Sequence, residues 1–409
     1  MKRISFTLFV IILLAVISFG IATGWDWKGV NENKAGKGNW TGSWASSMQA
    51  PLEDGISNEG FSNQTVRMIV KPHIDGKNVR IRLSNVFSPE ALKLEQVHIA
   101  VSKGGPEVES DTDQKVTFDG KEKVTIPAGE TKWSDPLDFK VRSDGKLAVS
   151  VFIREKTGPV TWHPRSMQTN YITSGNKAGS SDFGAYEQDE QSWFWLDAVN
   201  VLADSSMKGS IVVLGSSIAN GNHSTPDTDH RWPDYLANRM KQSDIPMSLV
   251  NAGISGNQLI ESTPDKGESA LERIERDVFD QTGIKSVILH QGLNDIRHHP
   301  EYSADDIIDK MKEIIEKTHD RGLKIYGGTL TPYKGSGRYT AEGEKVRQEV
   351  NDWIRTSGEF DGVIDFDKAV RDPEDPERYL PEYDAGDHLH PNDAGYEKMA
   401  EAVDLSMFK

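Results

Sequence analysis

The sequence predicts an α/β domain with a five-stranded parallel sheet, preceded by an all-β sandwich domain. Two observations predict it. After Met207-Lys208-Gly209, short apolar runs alternate five times with helix-length amphipathic stretches, the pattern of a parallel sheet covered on both faces. Before that point, from Trp40 to about Ala203, the apolar period is mostly two and turn signals divide the runs. No solenoid-length repeat interrupts the chain.

The chain starts with Lys2 and Arg3, followed by an uncharged, mostly apolar stretch from Ile4 to Ala22. A basic start and an apolar core are the order of a signal peptide. The stretch is also close to the roughly 20 residues that span a bilayer. Residues 1–23 are therefore expected to be a signal peptide or an N-terminal anchor. Either leaves the protein secreted or held on the outer side of the cytoplasmic membrane. Residues 24–39, with glycine, lysine and asparagine, read as a linker.

The β-sandwich domain is expected over 40–205. Runs at 65–70, 79–83, 97–101, 115–118 and 147–153 alternate as half-buried strands do. Asp75-Gly76, Asp119-Gly120, Ala128-Gly129 and Asp144-Gly145 mark turns between them. Many short strands with regular turns suggest a sandwich. Eight of the ten tryptophans precede residue 217 and are expected to fill this core and the seam to the second half. Trp162-His163-Pro164 stands apart, because it lies in a polar loop from which it could reach the other domain.

The α/β domain is expected over 208–409. Its strand candidates are 211–214, 246–250, 285–290, 323–328 and 362–365. Helix candidates lie at about 231–242, 268–281, 303–320, 341–357 and 392–405. In the third, Ile307, Ile308, Met311, Ile314 and Ile315 form an apolar stripe. Sites in such sheets lie at the carboxyl ends of the strands. There the chain carries Gly215-Ser216-Ser217-Ile218, then Asn251-Ala252-Gly253-Ile254-Ser255-Gly256-Asn257, then Gln291-Gly292-Leu293-Asn294-Asp295. Asp384-Ala385-Gly386-Asp387-His388-Leu389-His390-Pro391 precedes the last helix.

These residue types fit acyl transfer. A serine hydroxyl needs a base to take its proton, and a histidine has the matching pKa. A carboxylate must orient the imidazole. Asp387 and His390 stand three apart on one turn. The Ser217 and Gly256 N–H groups and the Asn294 amide could form an oxyanion hole. Ser217 is the candidate nucleophile, His390 the base and Asp387 its orienter.

The four blocks, in this order, resemble the SGNH hydrolases, also called GDSL esterases and lipases. The resemblance covers about residues 208–409. It implies the flavodoxin-like three-layer fold. It also implies Ser217 as nucleophile, Gly256 and Asn294 as oxyanion donors, and His390 with Asp387 as base and orienter. Arg231-Trp232-Pro233-Asp234 and Gly328-Thr329-Leu330-Thr331-Pro332 look like the family as well. Trp40-Thr41-Gly42-Ser43-Trp44 and the two-domain plan look like its bacterial acyl-esterase or xylan-esterase-like branch. That branch implies a short acyl group, such as acetyl, on a polysaccharide. One residue departs from the pattern. Where the family has Gly-Asp-Ser, this chain has Ser216, which loses a carboxylate expected to brace the site loops.

Other readings are narrower. A charge of −16 argues against nucleic acid and anionic lipid as partners. The absence of cysteine excludes disulfides, thiolate metal sites and a cysteine nucleophile. Neither His388-Leu389-His390 with Asp387 nor His298-His299 is read as a metal site, and no cofactor is implied. Asp295 is expected to anchor its loop, and residues 372–377 to be a solvated loop. The rival to a secreted serine esterase is a non-catalytic carbohydrate-binding protein with a decayed α/β half. Lipid esters are the alternative substrate.

Overall fold

Ile211-Val212-Val213-Leu214 forms the middle of a strand, Gly209–Gly215, buried along its whole length. A strand covered on both faces has to be apolar at every position, which is why this run shows no alternation. In the computed structural model, which describes residues 38–409, this strand pairs in parallel with Met247–Gly253 on one side and Ile284–His290 on the other. Lys324–Gly328 and Gly362–Ile364 complete a five-stranded parallel sheet. By sequence position its strand order is 2-1-3-4-5, the flavodoxin-like order. Its ligand crevice opens at the carboxyl ends, where the first strand lies between the second and third.

The helices follow the expected order. Ala304–His319 starts with a capping box between Ser303 and Asp306 and buries the whole Ile307 to Ile315 stripe. Trp232–Gln242 has proline in its first turn, and Ala341–Thr356 is capped by Thr340. Two expectations change. The helix expected over 268–281 is a short α-helix, Ala270–Ile274, that continues as a π-helical turn, Glu275–Phe279. The last helix, Asp393–Glu401, stops early. Asp404 then caps a separate 3-10 turn, Leu405–Phe408. In this half three short α-helices lie outside the expected helix ranges, Ser217–Asn220, Leu293–His298 and Phe366–Val370. Fewer than two turns leave no readable period in the sequence.

The first half is built of antiparallel sheets. One joins Trp40–Ala45, Leu196–Leu202, Gly76–Ser84 and Leu137–Val141, with Thr131–Trp133 at its side. The other is centred on Gln64–Val70, Lys146–Ile153 and Gln96–Gly104. Val66, Met68, Ile81, Leu83, Val97, Ile99, Val149, Val151, Val199 and Val201 share one core, as alternate residues of facing strands must. The expected strand 115–118 is shorter: Gln114–Lys115 pairs, and Phe118 makes only an isolated bridge to Lys121. The described tryptophans of this half are mainly structural. Trp44, Trp162, Trp193 and Trp195 are buried, and Trp44 meets Trp193 edge to face at 5.0 Å. Trp40 and Trp133 instead flank the Arg80 guanidinium.

Asn39–Lys409 forms one compact unit. Polar groups pin its two halves together. Gly42 N–H donates to the Thr282 carbonyl at 3.1 Å. His73 Nδ1 lies 2.6 Å from the Leu249 carbonyl oxygen and Nε2 lies 2.8 Å from Asp234 Oδ1. The expected signal peptide or anchor lies outside the described residues. Among the described residues no helix is long and apolar enough to cross a membrane.

Candidate active site

The chain leaves the first parallel strand through a bend at Ser216 and enters the helix Ser217–Asn220 at once. This sharp turn puts Ser217 at the carboxyl end of the sheet. The loop from Asp384 to Pro391 closes on itself through a bridge between those two residues and an Ala385 N–H bond to the His390 carbonyl. It delivers His390 to the serine. Nε2 of His390 lies 2.8 Å from Ser217 Oγ, and Nδ1 donates to Asp387 Oδ2 at 2.6 Å. The other carboxylate oxygen accepts the backbone N–H groups of Leu389 and His390.

The electrostatics suit a base. Burial lowers the His390 pKa, the Asp387 hydrogen bond and charge oppose this, and nearby His223 and Arg297 add to the lowering. The imidazole is therefore neutral and free to accept a proton at neutral pH. Burial works to raise the Asp387 carboxyl. Hydrogen bonds from the His390 ring and backbone outweigh it and hold the acid well below the usual range.

The expected oxyanion donors come from the next two loops. Gly256 has φ +78°, and a Cβ there would meet the Lys266 side chain at 2.4 Å. The positive φ is the conformation that glycine adopts without strain. Asn294 Nδ2 donates to the Asn257 carbonyl at 2.9 Å, which ties it to the residue after Gly256. Its Oδ1 accepts from Arg297 at 3.0 Å. Those two contacts fix which way the amide points. Asp295, fully buried, accepts the N–H groups of Leu259 and Ile260. It anchors the same loop, and burial pushes its pKa up to about 6.

Ser216 makes no capping hydrogen bond through its side chain. Other groups brace the loops. Arg273, fully buried, reaches the Gly215 and Ala252 carbonyls, Asn257 Oδ1, Asp277 and Ser47 Oγ. One guanidinium thus joins the ends of two strands, the oxyanion loop and the β half. Nothing in the local sequence distinguishes this arginine from one on an ordinary amphipathic helix. The Trp162-His163-Pro164 stretch is a buried strand paired with Ser192–Phe194 rather than a polar loop, and it does reach across. His163 Nδ1 donates to the Ser47 carbonyl at 2.6 Å, and Nε2 lies 2.8 Å from Asn220 Oδ1 in the nucleophile helix. Asn222 and Arg165 both donate to Ser255 Oγ, next to Gly256.

The histidine clusters differ from those weighed in the sequence. His388 turns to Asp384, and His299 stacks on Tyr302. Instead His223 comes to the pair, so that ligand atoms of His223, Asp387 and His390 lie within 4.8 Å of one another. Residues 372–377 are less solvent-bound than expected, since Asp375 holds Lys334 at 3.0 Å.

A serine, a histidine and a carboxylate in sequential hydrogen-bond contact, at the carboxyl end of a flavodoxin-like sheet, define a serine hydrolase. Residues 213–398 match the model of the GDSL-like Lipase/Acylhydrolase family. Over this span the chain is a GDSL-like lipase/acylhydrolase domain, of a family that hydrolyses esters. No curated protein matches the chain. Among solved structures, the lipase/acylhydrolase from Enterococcus faecalis is similar at 21% identity, covering 47% of this chain and 92% of its own, with a TM-score of 0.36. The acetyl xylan esterase AlAXEase gives 18%, 47%, 96% and 0.36. Est24, a carbohydrate acetylesterase from Sinorhizobium meliloti, gives 12%, 47%, 95% and 0.38.

Proposed function

We propose that the protein is an extracytoplasmic serine esterase that removes short acyl groups, acetyl foremost, from carbohydrate. The observation that carries the reaction type is the 2.8 Å contact between Ser217 Oγ and His390 Nε2, with Asp387 behind it at 2.6 Å. His390 takes the serine proton as Oγ attacks the ester carbonyl. The Ser217 and Gly256 N–H groups and the Asn294 amide meet the charge that develops on the carbonyl oxygen. The imidazolium, steadied by Asp387, gives its proton to the departing alcohol. Water then attacks the acyl-serine with His390 again as base and releases the acid.

The short acyl chain is supported by the polar setting of the serine. Asn222, Ser255, Asn294 and Arg297 adjoin the catalytic groups, where a long acyl chain would need apolar walls. The intact relay speaks against a decayed, purely binding role. The location outside the cytoplasm rests on the basic and apolar start of the chain. The test is hydrolysis of p-nitrophenyl acetate, butyrate and octanoate by wild type, Ser217→Ala and Ser216→Ala. Loss in Ser217→Ala alone, with acetate preferred, supports the reading. Equal background in all three sinks the esterase, and a preference for octanoate sinks the short-chain assignment.

A further inference from the structure

The chain has 63 acidic and 47 basic residues, so an arginine here normally finds a carboxylate. On the surface Arg142 pairs with Asp144, Arg321 with Glu275 and Arg378 with Asp375. Around the catalytic serine this rule fails. Arg165, exposed and carried by the β half, makes its side-chain bond to Ser255 Oγ at 3.2 Å, beside the oxyanion glycine. Arg297 bonds only to Asn294 Oδ1, and its Nε is buried without a partner. Arg338 is exposed on the loop whose Gly335 lies against the His388 ring, and its charge acts on Arg297. Among the described residues none of the three forms an ion pair. The carboxylate that acts on Arg297, Asp387, is already engaged with His390.

Arg297 and Arg338 repel one another, Arg165 flanks the oxyanion glycine through Ser255, and all three guanidinium groups are stabilised when an anion joins them. An acyl group such as acetyl has no charge to offer. The anion must therefore sit on the part of the substrate that leaves as the alcohol. Guanidinium groups recognise carboxylates through paired hydrogen bonds. We propose that the natural substrate is an acyl ester on an acidic carbohydrate, one whose sugar units carry carboxylates, and that Arg165, Arg297 and Arg338 receive those carboxylates. This rests on the esterase reading above and adds the charge of the carrier. The overall negative charge of the chain confines the attraction to the mouth of the site and disfavours acidic polymers elsewhere on its surface.

The experiment compares acetate release from two polymers acetylated to the same degree, polygalacturonate and a neutral glucomannan. Wild type, Arg165→Gln, Arg338→Gln and the double variant are assayed at low salt and at about 0.5 M salt, where exposed charges are screened. The quantity read is the ratio of kcat/KM on the acidic polymer to that on the neutral one within each enzyme, so a general loss of activity cancels. The wild-type ratio is expected to be about tenfold or more at low salt. It should fall toward one in the double variant and in high salt. A wild-type ratio at or below one, or a ratio that the double variant leaves unchanged, overturns the inference while the esterase stands. Loss of all serine-dependent hydrolysis, p-nitrophenyl acetate included, overturns the esterase reading itself.

Discussion

His223 lies face to face with His390, their ring centroids 5.0 Å apart and their planes 22° from parallel. Its Nε2 is 3.4 Å from the Asp387 oxygen that holds the catalytic imidazole. A charge on His223 therefore opposes a charge on His390, and it contributes to the lowered pKa of the base. Replacing His223 by glutamine removes that opposition, so the His390 pKa should rise. Activity needs neutral His390, so the acid limb of the pH profile of kcat/KM should move to higher pH. An unmoved or lowered limb would show that the two rings are electrostatically independent.

Ser217 and Ser216 should differ sharply. Ser217→Ala removes the nucleophile and is expected to cost on the order of 10⁶-fold in kcat. The Ser216 hydroxyl caps nothing, so Ser216→Ala should stay within about twofold. Steady-state kinetics on p-nitrophenyl acetate separates them. A tenfold loss in Ser216→Ala would mean that its hydroxyl has a role in the reaction.

The oxyanion donors should affect kcat rather than KM, because their contact strengthens as charge develops. Asn294→Ala is expected to lower kcat by about 10²–10³-fold. Gly256→Ala displaces the Lys266 side chain and places a Cβ at a positive φ, and this backbone strain is expected to turn the N–H from its aim and lower kcat. A variant that raised KM alone would argue that Asn294 binds substrate without stabilising the transition state.

Asp295 gives a pH dependence of stability opposite to that of Asp387. Its folded pKa, about 6, lies above the value of an unfolded aspartate. The native state then holds the proton more tightly, and the stability linked to this group is full below about pH 4 and lost as pH rises through 6. Asp295→Asn does not titrate. Relative to wild type it should gain about 2–3 kcal/mol between pH 4 and pH 7. Denaturant unfolding at both pH values measures this, and a constant difference would refute it.

Arg273 should prove structural and kinetic at once. Arg273→Met leaves two strand-end carbonyls without their buried donor and leaves Asp277 with Arg276 alone. Each buried acceptor left unpaired costs about 1–3 kcal/mol. The loop of Gly256 loses one of its hydrogen bonds at Asn257 in the same step, keeping that from Gln291. Arg273→Lys keeps the charge but cannot span these acceptors, so its stability and kcat should fall between wild type and Arg273→Met.

What the sequence could show depended on how far each signal extends along the chain. The parallel sheet was readable because each strand carries its apolar run within a few residues, as Ile211 to Leu214 do. The contact of Ser217, His390 and Asp387 was readable because Asp387 and His390 share one turn and Ser217 follows a strand. Arg273, His223 and Arg165 were not, because their partners lie far off in sequence and nothing beside them marks the meeting. Arg273 to Ser47 spans 226 positions. The π-helical turn at Glu275–Phe279 was hidden for another reason: its residues keep the amphipathic pattern of a regular helix.

His163 against Asn220 has a consequence for how such a chain can be inherited. A β half that only carried the enzyme to its substrate could be exchanged for any other carrier. Here it supplies a buried imidazole to the nucleophile helix and, through Ser47, an acceptor for Arg273. A gene fusion that kept residues 208–409 but replaced the preceding part would leave polar groups of the reaction centre stranded. The two halves therefore have to diversify together, and a graft of this catalytic domain onto a foreign scaffold must carry its β half along.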